Sequence, residues 1–197
     1  MGTGDHAARI ARAFTAQAAA FEDPAVNRPF TTDAAWIAEH VAVGPDDLVL
    51  DVAAGTGIVA RALAPRARAV VALDATAAML EAGRAAAASD GIANVVFLLG
   101  DATALPFLDA SFDVAVTRFS LHHLEEPARA RGASARATIP VPAATSSTRS
   151  SGPTAACSAI HAASVVKGRL TAGSSNAAAC AVNARAMRAA WSPVPTL

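Results

Sequence analysis

The apolar positions of this chain change their period near residue 48. Before that point, His6 to Phe21 sets Ile10, Phe14 and Phe21 at loose helical spacing among alanines. That spacing predicts a first helix. Asp23-Pro24 and Arg28-Pro29 interrupt the pattern. Thr32 or Asp33 then stands where a cap belongs for a second helix through Val41, with Trp36, Ile37 and His40 on one side. Gly44-Pro45-Asp46-Asp47 predicts a turn.

From Leu48 onward the apolar residues come in short unbroken runs. Leu48-Val49-Leu50-Asp51-Val52 reads as a strand buried on both faces. A glycine turn and a helix from about Ile58 to Leu63 follow. Ala69 to Leu73 is a second such run, ending in Asp74, and Thr76 to Ala88 is helical. Val95 to Leu99 is a third, ending in Gly100-Asp101, and Phe112 to Thr117 is a fourth. Strand and helix in alternation predict an α/β fold, a doubly wound parallel sheet in three α/β/α layers.

The pattern then stops. Residues 129–197 contain no Phe, two Leu and two Ile, and consist largely of Ala, Ser, Thr, Arg and Pro. They predict a sheet truncated after its fourth strand, with an irregular or disordered tail and a bare edge on that strand. The chain thus divides into an N-terminal helical segment (1–44), a core (45–128) and a tail (129–197).

Charge divides at the same place. All 16 acidic residues lie at or before Glu126 with 8 of the 16 basic ones, so residues 1–126 carry −8 and residues 127–197 carry +8. The basic residues of the tail stand singly, so no nucleic-acid partner is expected. Both cysteines, Cys157 and Cys180, lie in the tail, which gives neither a disulfide framework nor a metal site. The first residues lack the apolar stretch of a signal peptide, and no apolar run is long enough for a membrane span. These features predict a cytoplasmic protein with no membrane partner.

In a parallel sheet of this kind ligands bind beyond the carboxyl ends of the strands. The first strand offers Asp51 and then Ala53-Ala54-Gly55-Thr56-Gly57, a loop that lets the backbone turn tightly. The second offers Asp74, placed to accept hydrogen bonds from two ribose hydroxyls. The third offers Asp101-Ala102, where a carboxylate can accept from an exocyclic amine. Gly55-x-Gly57-x-x-Ala60 also satisfies a dinucleotide pattern, so an NAD(P)-dependent oxidoreductase is one reading. A pyrophosphate on that turn would lie beside Asp51, where like charges repel. An acid there suits a cationic ligand without phosphate, such as S-adenosylmethionine.

The segments VLDVAAGTGIVARAL, VVALDATAAML and FLLGDATALPFLDASFDVAVTRFSLHHLEEP resemble the class I S-adenosylmethionine-dependent methyltransferases. The likeness is to their type 11 branch, which is similar to the ubiquinone/menaquinone biosynthesis methyltransferases, and it covers roughly residues 30–128. It implies a Rossmann-like fold, S-adenosyl-L-methionine as cofactor and a small-molecule methyl acceptor. By position it implies that Asp51 anchors the methionine amino group, and that Ala53, Gly55 and Gly57 form the cofactor loop. Asp74 would hold the ribose, with Ala75 beside it. Met79 would pack near the adenine, Asp101 and Ala102 would read its amine, and Arg118 would meet the cofactor from the fourth strand. Ala53 departs from the strict pattern, which has glycine there.

Each of these residues also has a plain structural use. Asp51 and Asp101 can close turns, Asp74 can cap the helix starting near Thr76, and Met79 and Phe97 can be core residues. Asp113 reads as structural. His122 and His123 are the candidates for a general base, although methyl transfer from a sulfonium often needs only in-line positioning.

Relatives of that kind continue with a turn resembling Arg-Pro-Gly-Gly and a fifth apolar strand, which this sequence lacks. Read one base earlier, the codons of Val141 to Ala144 permit Arg-Pro-Gly-Gly, and those of Thr145 to Thr148 permit an acid or His, two aliphatic residues and another acid. The tail from about residue 129 therefore reads as a displaced reading frame, against the alternative of an authentic disordered tail. If the tail is what the cell makes, a remnant that at most binds cofactor is a third reading.

Overall fold

The computed structural model describes residues 3–124, 126–138 and 163–167. Two helices lead the chain, α1 (Thr3–Gln17) and α2 (Pro24–His40), with a 3-10 turn at Ala20–Glu22 between them. The core follows as β1 (Leu48–Val52), α3 (Ile58–Leu63), β2 (Ala69–Asp74), α4 (Ala77–Ser89), β3 (Val95–Leu99) and β4 (Val114–Arg118). A 3-10 turn at Leu121–His123 leads into α5 (Pro127–Ala137), and β5 (Ala163–Lys167) completes the described elements. The sheet order is β3-β2-β1-β4-β5.

The first four strands are parallel, with Leu50 opposite both Val71 and Ala115. β1 is buried at all five positions, as an unbroken apolar run requires when helices cover both faces. On one face Val49, Val70, Val114 and Val116 pack against α2, α3 and α4 through Ile37, Leu63 and Leu80. On the other, Leu50, Val71, Leu73 and Ala115 pack with Phe112 and with Ala130 and Ala137 of α5. Asp113 holds the start of β1, its carboxylate accepting from Leu48 N at 2.8 Å.

The structure adds detail to three expectations. Asp23-Pro24 does interrupt the first helical stretch, but it also starts α2, well before the expected cap at Thr32 or Asp33: the Asp23 carboxylate accepts from Ala25 N at 2.8 Å, and Pro24 occupies a first-turn position that needs no N–H. Pro29 lies inside the same helix. The core also runs past residue 128. Ala130, Ala133 and Ala137 are buried, and Phe112 N donates to Ala137 O at 3.0 Å. Small side chains at this spacing let α5 lie close on the sheet even without large apolar residues.

Finally, the outer edge of β4 is not bare. β5 lies along it antiparallel, pairing Val116 with Val165 and Ala115 with Val166. Strand edges demand hydrogen-bond partners, and Ala-Ser-Val-Val-Lys brings two adjacent β-branched residues to that edge. The rest of the region read as a displaced frame, and both cysteines, lie outside the described residues.

Candidate functional site

The carboxyl ends of β1, β2 and β4 and the loops after β1 to β4 open on one cavity of about 840 Å³. That is within the range of natural ligand pockets, of about 300–1,000 Å³. The facing wall comes from the N-terminal helical segment through Ile10, Phe14, Phe21 and Phe30.

Asp51 forms the floor. It is only 2 % exposed, and its Oδ2 accepts from Ala60 N at 3.0 Å, which ties the end of β1 to the first turn of α3. Burial pushes its pKa from 3.8 up to about 7; the Ala60 bond and then the charge of Arg118 pull it down, and Asp74 raises it. A carboxyl in this state gains most from a cationic partner.

The loop after β1 carries the strain of a close turn. Ala53 takes φ +55°, a left-handed conformation that glycine would adopt freely. Ala53 and Gly55 line the cavity, and Gly57 does not. A Cβ on Gly57 would come 2.8 Å from Phe97 Cε1, so this glycine admits the ring packed beneath the loop. Within the loop it shapes the backbone from below.

Asp74 is already bound to backbone on both oxygens. Oδ2 accepts from Gly55 N and Oδ1 from Thr76 N, each at 2.8 Å. Its structural use is therefore a turn that leads into α4, and each oxygen keeps a second lone pair for a ligand hydroxyl. Ala75 lines the cavity beside it, and Met79, 2 % exposed, is both a core residue and part of the wall. Asp101 Oδ1 accepts from Thr103 N at 2.7 Å and from Thr103 Oγ1 at 2.8 Å, which fixes its loop with Ala102 in the cavity wall.

Arg118 also lines the cavity, but its guanidinium is engaged with α2. Nη1 donates to Phe30 O at 2.6 Å and lies 3.8 Å from Asp33 Oδ2. The group sits 5.2 Å from the Phe30 ring centre and 4.6 Å from that of Phe119. Burial lowers its pKa, while Asp33 and Asp51 raise it. His122 is exposed at the rim; His123 packs edge-on against Phe14 at 5.1 Å. The structure thus brings every candidate except Gly57 to one cavity.

Sequence reasoning missed much of the far wall. Phe14, Phe21, Phe30 and Phe119, four of the chain's seven phenylalanines, line the cavity. Phe14 and Phe21 were legible only as an apolar helix face, which looks the same whether it meets a core or a ligand. Thr56 was missed too. Its hydroxyl is buried on the cavity wall with no hydrogen-bond partner.

The donors and acceptors fit a cofactor such as S-adenosylmethionine. Three carboxylates stand at successive strand ends, matching an ammonium, a diol and an amine. Among the described residues there is no group of three or more metal-ligating side chains, and no helix is long and apolar enough to cross a membrane.

Residues 49–139 match the family described as methyltransferase domain. The chain is 37 % identical over 133 residues to the demethylmenaquinone methyltransferase of Renibacterium salmoninarum, covering 62 % of this chain and 54 % of that one. It is 46 % identical over 93 residues to the ubiquinone/menaquinone biosynthesis C-methyltransferase UbiE of Dinoroseobacter shibae, covering 45 % and 35 %. The crystal structure of YcgJ from Bacillus subtilis superposes with a TM-score of 0.52 at 32 % identity, covering 54 % and 46 %. The chain spans about half the length, or less, of the relatives it matches. The dinucleotide-dependent oxidoreductase reading gains no support from these likenesses.

Proposed function

We propose that residues 49–139, which match the methyltransferase domain family, form a class I S-adenosylmethionine-dependent methyltransferase domain of the UbiE-like branch and that the protein methylates a small-molecule acceptor. The observation that carries this reading is the pair of carboxylates at neighbouring strand ends. Asp51 is buried and poised to pair with a cation, and Asp74 is fixed against the loop between them.

The bound cofactor supplies an electrophilic methyl group on a sulfonium, which the acceptor takes as the carbon–sulfur electrons return to sulfur. Asp51 holds the ammonium of the methionine part. Asp74 accepts from the ribose hydroxyls through its remaining lone pairs, with Ala75 alongside. Met79 packs against the adenine, and Asp101 and Ala102 read its amine. Ala53 and Gly55 present backbone to the cofactor, and Gly57 lets that loop close. Arg118 contributes its charge, which favours the ionised form of Asp51 against the effect of burial. The acceptor enters under Phe14, Phe21 and Phe30 and lies in line with the methyl group. His122 and His123 stand at that end as candidates to take a proton. The relatives named for demethylmenaquinone and ubiquinone/menaquinone make a ring-bearing acceptor the first to assay.

The test is a calorimetric titration of the whole chain with S-adenosylhomocysteine. NAD and Asp74→Ala are the controls, with circular dichroism to check folding. Saturable heat with S-adenosylhomocysteine alone, lost in Asp74→Ala, supports the reading. No heat from folded protein overturns it. Binding without turnover on any ring-bearing acceptor leaves the remnant reading standing instead.

A further inference from the structure

Three of the four contacts of Arg118 lead away from the cofactor floor and into α2. Phe30 and Asp33 both belong to α2, and Phe30 is part of the wall that faces the strand ends. Arg118 is the last residue of β4, and its side chain is only 8 % exposed. The next residue, Phe119, takes φ +51°, a left-handed conformation unusual for an aromatic residue. That turn puts its ring on the guanidinium beside the ring of Phe30, the two ring centres 6.2 Å apart and the rings at 82°. A buried guanidinium with a short carbonyl bond, a carboxylate and two ring faces is held in place, not left for a mobile ligand.

A second tie fastens the same segment elsewhere. Arg61 of α3 binds Glu22 at 2.7 and 2.8 Å and Asp90 at 3.0 Å. That tie leads to the outer edge of the helical layer. Arg66 also donates to Ala38 O near the end of α2. The Arg118 tie instead joins the cavity wall to β4, and its guanidinium also acts on Asp51.

We infer that Arg118 is a positioning residue that holds the acceptor-side wall, through Phe30 and Asp33, against the strand ends that hold the cofactor. It links the two halves of the cavity, so that filling the floor at Asp51 steadies the wall at Phe30. This coupling, though not the tie itself, rests on the cofactor reading above.

Hydrogen exchange of the full chain tests the tie without any ligand. Arg118→Gln removes the charge-assisted bond to Phe30 O, and exchange over residues 24–40 rises about tenfold or more. Asp33→Asn, a milder change at a quarter-exposed carboxylate, raises it less, and Arg118→Lys restores part of the protection. Unchanged exchange over residues 24–40 in both Arg118→Gln and Asp33→Asn overturns the proposal.

Adding S-adenosylhomocysteine tests the coupling. It protects residues 24–40 in the native chain, and in Arg118→Gln, at a concentration that saturates the variant, it no longer protects them. The charged groups facing Asp51 are Arg118 and Asp74. The pH at which affinity levels off therefore moves up in Arg118→Gln, which a purely structural role would not do. Equal protection in the native chain and the variant overturns the coupling. If S-adenosylhomocysteine fails to bind the native chain, the cofactor reading falls, and the ligand-free exchange still decides the tie.

Discussion

The Asp74 carboxylate at the end of β2 accepts a hydrogen bond from the backbone N–H of Gly55 at 2.8 Å, so one strand end holds the loop of its neighbour. The other oxygen accepts from Thr76 N and starts α4. One side chain thus fixes the loop and helix on either side of the proposed ribose position. Asp74→Asn has one acceptor oxygen where two are needed, so either Gly55 or Thr76 loses its partner. Bonds of this kind contribute about 1.5–3 kcal/mol each when charge-assisted. The expected result is a loss of about 2 kcal/mol in urea unfolding and at least a tenfold weaker titration with S-adenosylhomocysteine. A variant as stable and as tight as the native chain would remove Asp74 from both roles.

Asp51 makes stability and binding depend on pH in opposite directions. Its folded pKa of about 7 lies above the ordinary 3.8. Below about pH 4 it is protonated whether folded or not, and its full contribution to stability is present. As pH rises toward 7 the unfolded chain gives up this proton and the folded chain keeps it, so the contribution is lost. The loss is about 1.4 kcal/mol per pH unit, roughly 4 kcal/mol in all, and it stops above pH 7. Asp51→Asn cannot titrate here, so the native chain should lose stability relative to it between pH 4.5 and 7.5. Affinity for the ammonium of S-adenosylhomocysteine runs the other way, tightening up to about tenfold per unit and levelling above pH 7. Urea melts and titrations across this range check both slopes. Parallel stability profiles in the two proteins would show that Asp51 ionises normally.

Ala53 stands where relatives' strict pattern has glycine, and it takes the conformation glycine favours, φ +55°. A left-handed L-residue costs about 1–2 kcal/mol. Glycine relieves that strain but gives the unfolded chain more freedom, which offsets about 0.4–1 kcal/mol. Ala53→Gly should therefore stabilise the protein by about 0.5–1 kcal/mol, seen as a higher urea midpoint with unchanged slope. A lower midpoint would mean that the Ala53 methyl makes packing contacts worth more than the strain.

The parallel sheet was legible because β1, β2 and β4 are buried on both faces, which leaves unbroken apolar runs such as Leu48-Val49-Leu50. The short helix Ile58–Leu63 was legible because glycines punctuate its start. Strand ends then located Asp51, Asp74 and Asp101 without further information. Asp23-Pro24 misled because the same dipeptide ends one helix and begins the next. The packing reason for Gly57 was not legible, because it lies with Phe97, 40 residues on. The phenylalanine wall was hidden because periodicity reports burial and not what does the burying. β5 was hidden because an edge strand takes its place from the edge it pairs with, and its own sequence is hardly apolar.

Helix α5 bears on the displaced reading frame. Ala130, Ala133 and Ala137 fall on one buried face, and Phe112 pairs with Thr138, so the residues through Thr138 behave as part of the fold. The family match ends at residue 139. The displaced triplets that permit Arg-Pro-Gly-Gly begin with the last base of the Pro140 codon. We therefore propose a junction after Thr138, later than the change in composition near residue 129. Sequencing the coding DNA decides it. The expected outcome is Arg-Pro-Gly-Gly followed by an apolar strand, read one base earlier from Pro140. A chain carrying that strand would replace β5 on the edge of β4 with a more apolar partner and unfold at higher urea. If the displaced triplets spell no such turn, the tail is authentic, and β5 is the partner that the edge of β4 has in the cell.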